Sequence, residues 1–125
     1  MRTPGKTPGR RPQRVAEAIR EVVAPFLQQL RDPRITALVT VTAVRVSPDL
    51  KHATVGVAIH GEEAERRRTL EGLASAAGLA RHEVARRLAL KTVPELQFEI
   101  DRGVDHATRI EALLASLHRD EGRDP

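Results

Sequence analysis

The sequence has no cysteine, no tryptophan and no tyrosine, and its only aromatic residues are Phe26 and Phe98. Without cysteine there is no disulfide framework, no thiolate metal site and no thiol nucleophile. Two rings are too few for a protein that binds single strands by stacking bases on aromatic platforms. The core has to be built from Val, Leu, Ile and Ala. No apolar run approaches the roughly 18 residues of a membrane span. The basic stretch MRTPGKTPGRRPQR lacks the apolar centre of a secretory signal. A cytoplasmic protein is expected, with no membrane partner.

Catalytic and metal-binding patterns are also missing. The five histidines, His52, His60, His82, His106 and His118, form no HxH or HxxxH pair, so solvent-facing imidazoles are expected in place of metal ligands. Of the three serines, Ser47 falls in a turn and Ser75 and Ser116 on helices, none in a nucleophile-elbow context. No phosphate-binding glycine loop occurs. Glu62, Glu63 and Glu65 precede Arg66, Arg67 and Arg68, a run that intrahelical pairing explains. No enzyme, cofactor, metal or small-molecule substrate is expected.

What the chain does have is positive charge on a body of single-domain size. Its 125 residues are 40% hydrophobic and 30% charged, with a net charge of +4 and a pI of about 10.6. A polyanionic partner fits this balance, although many small basic proteins of this charge have none. The cations cluster. Arg2, Lys6, Arg10, Arg11 and Arg14 precede any acidic residue, and Arg81, Arg86, Arg87 and Lys91 stand against Glu83 alone. On a helical wheel Arg81 and Arg87 flank the apolar face, and Arg86 points nearly opposite it. Arginine suits bidentate phosphate contacts. Its excess over lysine also has compositional explanations.

Proline, glycine and basic residues dominate residues 1–12, which read as a mobile basic arm. From Gln13, Val15, Ile19, Val22, Val23, Phe26, Leu27 and Leu30 recur at helical spacing. Pro25 is expected to kink or break that helix near Ala24. Asp32-Pro33 closes it. Ile35 to Val46 reads as a strand, Ser47-Pro48-Asp49 as a turn, and Ala53, Val55, Val57 and Ile59 as the inward face of a second, antiparallel strand.

A single helix across the next region would place Leu79 and Leu90 opposite Leu70, Leu73, Ala77, Ala80, Val84 and Leu88. Two helices meeting at a kink on Gly78 resolve that conflict. Leu96, Phe98 and Ile100 form a third strand. A last helix follows from about Asp105, with Ile110, Leu113, Leu114 and Leu117 as a buried stripe, and residues 119–125 form a polar tail. The α+β class follows, a three-stranded sheet with helices on one face.

Gly78 carries two readings. It lets two helices bend and pack closely, or it lets a phosphate backbone approach a helix N-terminus whose N–H groups seek anions. Both stay open at this level.

Several segments, in order and over nearly all of Arg14 to Leu114, resemble bacterial ribosome-binding factor A. They are RVAEAIREVVAPFLQQLRDPRI, VTVTAVRVSPDLKHATVGVAI, LEGLASAAGLARHEVARRLALKTVPELQFEID and RIEALL. The RDPR, VSPDL, AAGLAR and VPELQFEID motifs are the most distinctive. The resemblance implies a type II KH-like fold, ordered α-β-β-α-kink-α-β-α, in which Ala76-Ala77-Gly78 replaces the usual GxxG loop.

It also implies a non-catalytic maturation factor. Such a factor binds the immature small ribosomal subunit and its rRNA, assists late rRNA processing near the 5′ end and supports growth after cold shock. On that reading Ala76, Gly78, Arg81, Arg86, Arg87 and Lys91 contact RNA, joined by Arg10, Arg11 and Arg14 of the arm and by Arg45 and Lys51. Residues 13–118 form the ribosome-binding domain of a monomer. The chain departs from the family at Gly78-Leu79-Ala80-Arg81, where a bulky apolar residue and then Leu-Arg commonly follow the glycine, and at Asp101-Arg102-Gly103-Val104, where a Ser often follows the third strand. The alternatives are a generic KH-like single-stranded RNA-binding module and a domain whose basic surface meets an acidic protein.

Overall fold

The computed structural model describes residues 6–101, 103, 113–115 and 117, the side chains of 6–10 excepted. Helix α1 (Lys6–Gln29) leads into the hairpin of β1 (Leu38–Val46) and β2 (His52–His60). Helices α2 (Glu63–Ser75) and α3 (Ala77–Arg87) follow, then β3 (Glu95–Ile100). The sheet order is β1-β2-β3, with β1 antiparallel and β3 parallel to the central β2. This is the expected α+β, KH-like arrangement.

Alternation decides which face is covered. Ala53, Val55, Val57 and Ile59 on β2, and Leu96 and Phe98 on β3, are buried against Ile19 and Val23 of α1, Leu73 of α2 and Val84 of α3. In β1 the inward set changes parity. Val39 and Val41 face the core, and beyond them Val44 and Val46 do, because the register slips between Val41 and Ala43. Thr42 is the extra residue of this bulge. In a regular ladder without the bulge the last two valines would turn to the face opposite the core.

Side chains of α1 also bind β1. Arg20 donates to the carbonyls of Thr42 (3.1 Å) and Val41 (3.3 Å), and Gln28 donates to that of Val39 (3.2 Å). Residue 20 meets residues 41–42 and residue 28 meets residue 39, so α1 runs antiparallel to β1. These bonds occupy carbonyls of an edge strand, which otherwise invites pairing with another chain.

Four expectations are corrected. Helix α1 begins at Lys6, inside the stretch read as an arm; Pro8 falls in its first turn, where an N–H has no helical partner anyway. The helix also continues through Pro12 and Pro25 to Gln29, with no break near Ala24. Pro25 and Glu21, whose carbonyl loses its partner, both lie on the exposed side, and the flanking Val23 and Leu27 are anchored in the core. The interruption between α2 and α3 falls at Ala76, two residues before Gly78. Leu113, Leu114 and Leu117 are helical, but at 61%, 49% and 50% exposure they are not buried. Asp105, Ile110 and residues 119–125 lie outside the described residues.

Candidate nucleic-acid interface

Ala76 separates the two helices with φ −88° and ψ 0°, and its N–H still reaches the carbonyls of Gly72 and Leu73. Its methyl group is buried, so it shapes the break from inside and offers no side chain to a partner. Gly78 is different. It lies exposed in the first turn of α3, it does not take a positive φ, and a Cβ built on it meets nothing within 4 Å. Neither backbone conformation nor internal packing calls for glycine there, which overturns the close-packing reading of this residue.

The glycine that packing does require is Gly72 on α2. A Cβ there would stand 2.7 Å from Cγ1 of Ile35. Sequence reasoning missed it, because its neighbour is 37 positions away in the chain and only the fold joins them. The partner surface is the RDPR turn. Asp32 Oδ1 accepts from the Arg34 backbone N–H (2.8 Å) and Nε (3.1 Å), and Oδ2 accepts from Nη2 (2.8 Å). These bonds hold the Asp32 carboxyl down at about 2. Asp32 and Arg34 of this distinctive motif thus shape the α1–β1 connection and seat it on α2.

The SPDL turn is equally structural. Asp49 accepts from the Ser47 hydroxyl (2.6 Å) and the Lys51 N–H (3.0 Å), and the Ser47 bond holds its carboxyl below the usual range. Leu50 takes φ 63°, a left-handed conformation unusual for leucine, and is held there by packing against the core. The turn leaves the Lys51 side chain exposed.

The candidate cations divide into engaged and free ones. Arg81 is exposed but gives both Nε (3.2 Å) and Nη2 (2.8 Å) to the Val93 carbonyl in the α3–β3 connection. Arg86 and Arg87 share Glu83, at 3.0 and 2.5 Å, and these bonds, Arg87 first, lower its pKa. Arg45 pairs with Glu99 at 3.0 Å on the sheet face opposite the core. Among the described residues Arg11, Arg14, Lys51 and Lys91 are exposed without such a partner, as are Arg31, Arg67 and Arg68, which sequence reasoning did not select. The Arg10 side chain lies outside the description.

The free candidates gather at one end of the domain. Because α1 runs antiparallel to β1, its Arg11 and Arg14 lie toward the β1–β2 turn that carries Lys51. The N–H of Glu95, at the start of β3, bonds the Lys51 carbonyl at 2.9 Å, bringing the connection with Lys91 to the same end. Arg81 ties that connection to α3 one turn past Gly78. Arg86 and Arg87 sit elsewhere, beside a groove of about 670 Å³ between α1 and α3 floored by Val22, Phe26, Leu30 and Leu88. The eleven candidates are therefore not one surface. No group of three or more His, Asp or Glu able to hold a metal occurs among the described residues. No described helix is long and apolar enough to cross a membrane.

The family model for ribosome-binding factor A matches residues 11–114. A ribosome-binding factor A from Gemmatimonas aurantiaca is 53% identical over 107 residues, covering 85% of this chain and 73% of the relative. The crystal structure of ribosome-binding factor A from Thermus thermophilus superimposes with a TM-score of 0.65 at 31% identity, covering 73% of this chain and 96% of that one. A homology model of the Thermus thermophilus protein, fitted into a cryo-electron microscopy map of its complex with the 30S subunit, gives 0.60 at 30% identity, with coverage of 73% and 96%. With a family model over most of its length and a relative 53% identical across 85% of it, the chain belongs to the ribosome-binding factor A family.

Proposed function

We propose that this chain binds the immature small ribosomal subunit and its rRNA as a monomer in the cytoplasm. It assists late processing near the rRNA 5′ end, without catalysis, and supports growth in the cold. The observation that carries the reading is Gly78, a glycine the chain's own fold does not need, exposed at the start of α3 with open space beyond it. An outside backbone is what a bare residue there would admit. Lys51, Lys91, Arg14 and Arg11 surround that end and supply the phosphate contacts, with Arg10 continuing the series along α1. Its mechanism is occupancy: the factor holds rRNA in an immature arrangement and leaves when processing is complete. A relative fitted on the 30S subunit supports the partner.

The test is sedimentation with small subunits. Lys51→Glu combined with Lys91→Glu abolishes co-sedimentation while the far-UV circular dichroism stays that of the wild type; unchanged pelleting would refute the assignment. Gel shifts at matched salt, comparing small-subunit precursor RNA with unrelated single strands, separate this reading from a generic KH-like module. Equal affinity for both would favour the generic module.

A further inference from the structure

Arg81 looks like a phosphate ligand in the sequence, yet it spends two donors on one carbonyl. Val93, which accepts them, precedes the fully buried Pro94, and the next N–H, of Glu95, bonds the Lys51 carbonyl. On the other side of Lys91, Leu88 leaves α3 in an extended conformation and Leu90 packs against the core. Lys91 is therefore exposed on a short connection whose far end is pinned by Arg81, and the same bonds run on to the Lys51 turn. A rigid guanidinium fork fixes a carbonyl through two donors, which a lysine ammonium on a flexible stem cannot reproduce.

We infer that Arg81 is a positioning residue. It holds Lys91, and through Glu95 the Lys51 turn, at a fixed place relative to Gly78, and it does not itself take a phosphate. The inference rests on the RNA-binding reading above and specifies how that surface is built. Each phosphate that a cation neutralises adds about 0.7 to 0.9 to the slope of log affinity against log salt. Losing a ligand removes its phosphate from the slope, whereas losing a positioner leaves the lysines to reach the same phosphates at an ordering cost, which lowers affinity and keeps the slope.

The experiment measures binding of the full chain to a small-subunit rRNA transcript with an unprocessed 5′ end, over a series of KCl concentrations. Lys91→Ala lowers the slope by about one phosphate's worth. Arg81→Lys and Arg81→Ala each weaken binding, on the order of tenfold as for coupled neighbours, and leave the slope unchanged. In a chain already carrying Lys51→Ala and Lys91→Ala, Arg81→Ala costs almost nothing.

Three results would overturn the inference: a slope lowered by Arg81→Ala, wild-type affinity in Arg81→Lys, or an equal cost of Arg81→Ala in both backgrounds. Far-UV circular dichroism melts establish that each variant is folded at the assay temperature. Should Arg81→Ala not be folded there, the charge-preserving Arg81→Lys decides alone. A wild type without salt-dependent affinity, with Lys51→Ala and Lys91→Ala equally silent, would refute the RNA-binding reading itself.

Discussion

Thr42 on β1 donates its hydroxyl to Oδ2 of Asp101, the residue after β3, at 2.7 Å. The bond spans the sheet from one outer strand to the end of the other, and it crosses Gly56 of β2. A Cβ on Gly56 would lie 3.0 Å from the Thr42 hydroxyl oxygen and 3.8 Å from the Asp101 Cβ. The bulge that turns Val44 and Val46 inward therefore also presents Thr42 to a carboxylate two strands away. Replacing it by Thr42→Val keeps the shape and removes the donor. We expect a loss of about 1 kcal/mol, the usual scale of a net hydrogen bond, read as a lower midpoint in urea.

The two glycines of the helical pair should respond oppositely to alanine. Gly78→Ala places a methyl group in open space and gains helix propensity, so stability rises by up to about 1 kcal/mol and subunit binding weakens. Gly72→Ala drives a methyl group into Ile35. Overpacking of that kind costs about 1–3 kcal/mol and outweighs the helical gain, so the melting temperature falls. Paired melts and sedimentation assays check both.

Acid titration tests the RDPR turn. Asp32 takes up its proton near its ordinary value of 3.8 when unfolded, and at about 2 in the folded chain. Its contribution is thus fully present above the unfolded value and is lost as pH falls from 3.8 toward about 2. The stability difference between wild type and Asp32→Asn should be constant near neutrality and shrink through that window. Taking the difference cancels Asp49 and Glu83, whose carboxyls are also held low.

Charge removal should separate the two basic surfaces. Lys51→Ala lowers the salt slope of rRNA binding by about 0.7–0.9. Glu83→Ala removes the acceptor that Arg86 and Arg87 share beside the α1–α3 groove without altering the Gly78 end. It should leave the slope for small subunits unchanged, and a steeper slope would show that the groove also meets phosphate.

Periodic features were legible in the sequence because they are local. Val15, Ile19, Val23 and Leu27 recur with the helical repeat, and Ala53, Val55, Val57 and Ile59 with that of a strand, and each set is buried. The Ser47–Asp49 turn was readable because its hydrogen bonds close within five residues. Whether Pro25 breaks its helix was not legible, because the cost depends on whether the orphaned carbonyl meets water or core, and Glu21 lies on the exposed side. The exposure of Leu113, Leu114 and Leu117 was not legible either, because a stripe shows which residues can be buried and not how deeply the fold covers them.

The sequence by itself determined the strands, the buried faces of the helices, the order of these elements and the family, together with a net positive charge and a scarcity of aromatic rings. Those follow from local spacing and from side-chain chemistry. Only the tertiary structure decided that Gly72 is the packing glycine and Gly78 the exposed one. It alone set Thr42 as the bulge and committed Arg81 to Val93, while Arg11, Arg14, Lys51 and Lys91 share an end that Arg86 and Arg87 do not. Each of these depends on which residue from a distant part of the chain lies within a few ångströms, and sheet register and helix crossing fix that distance.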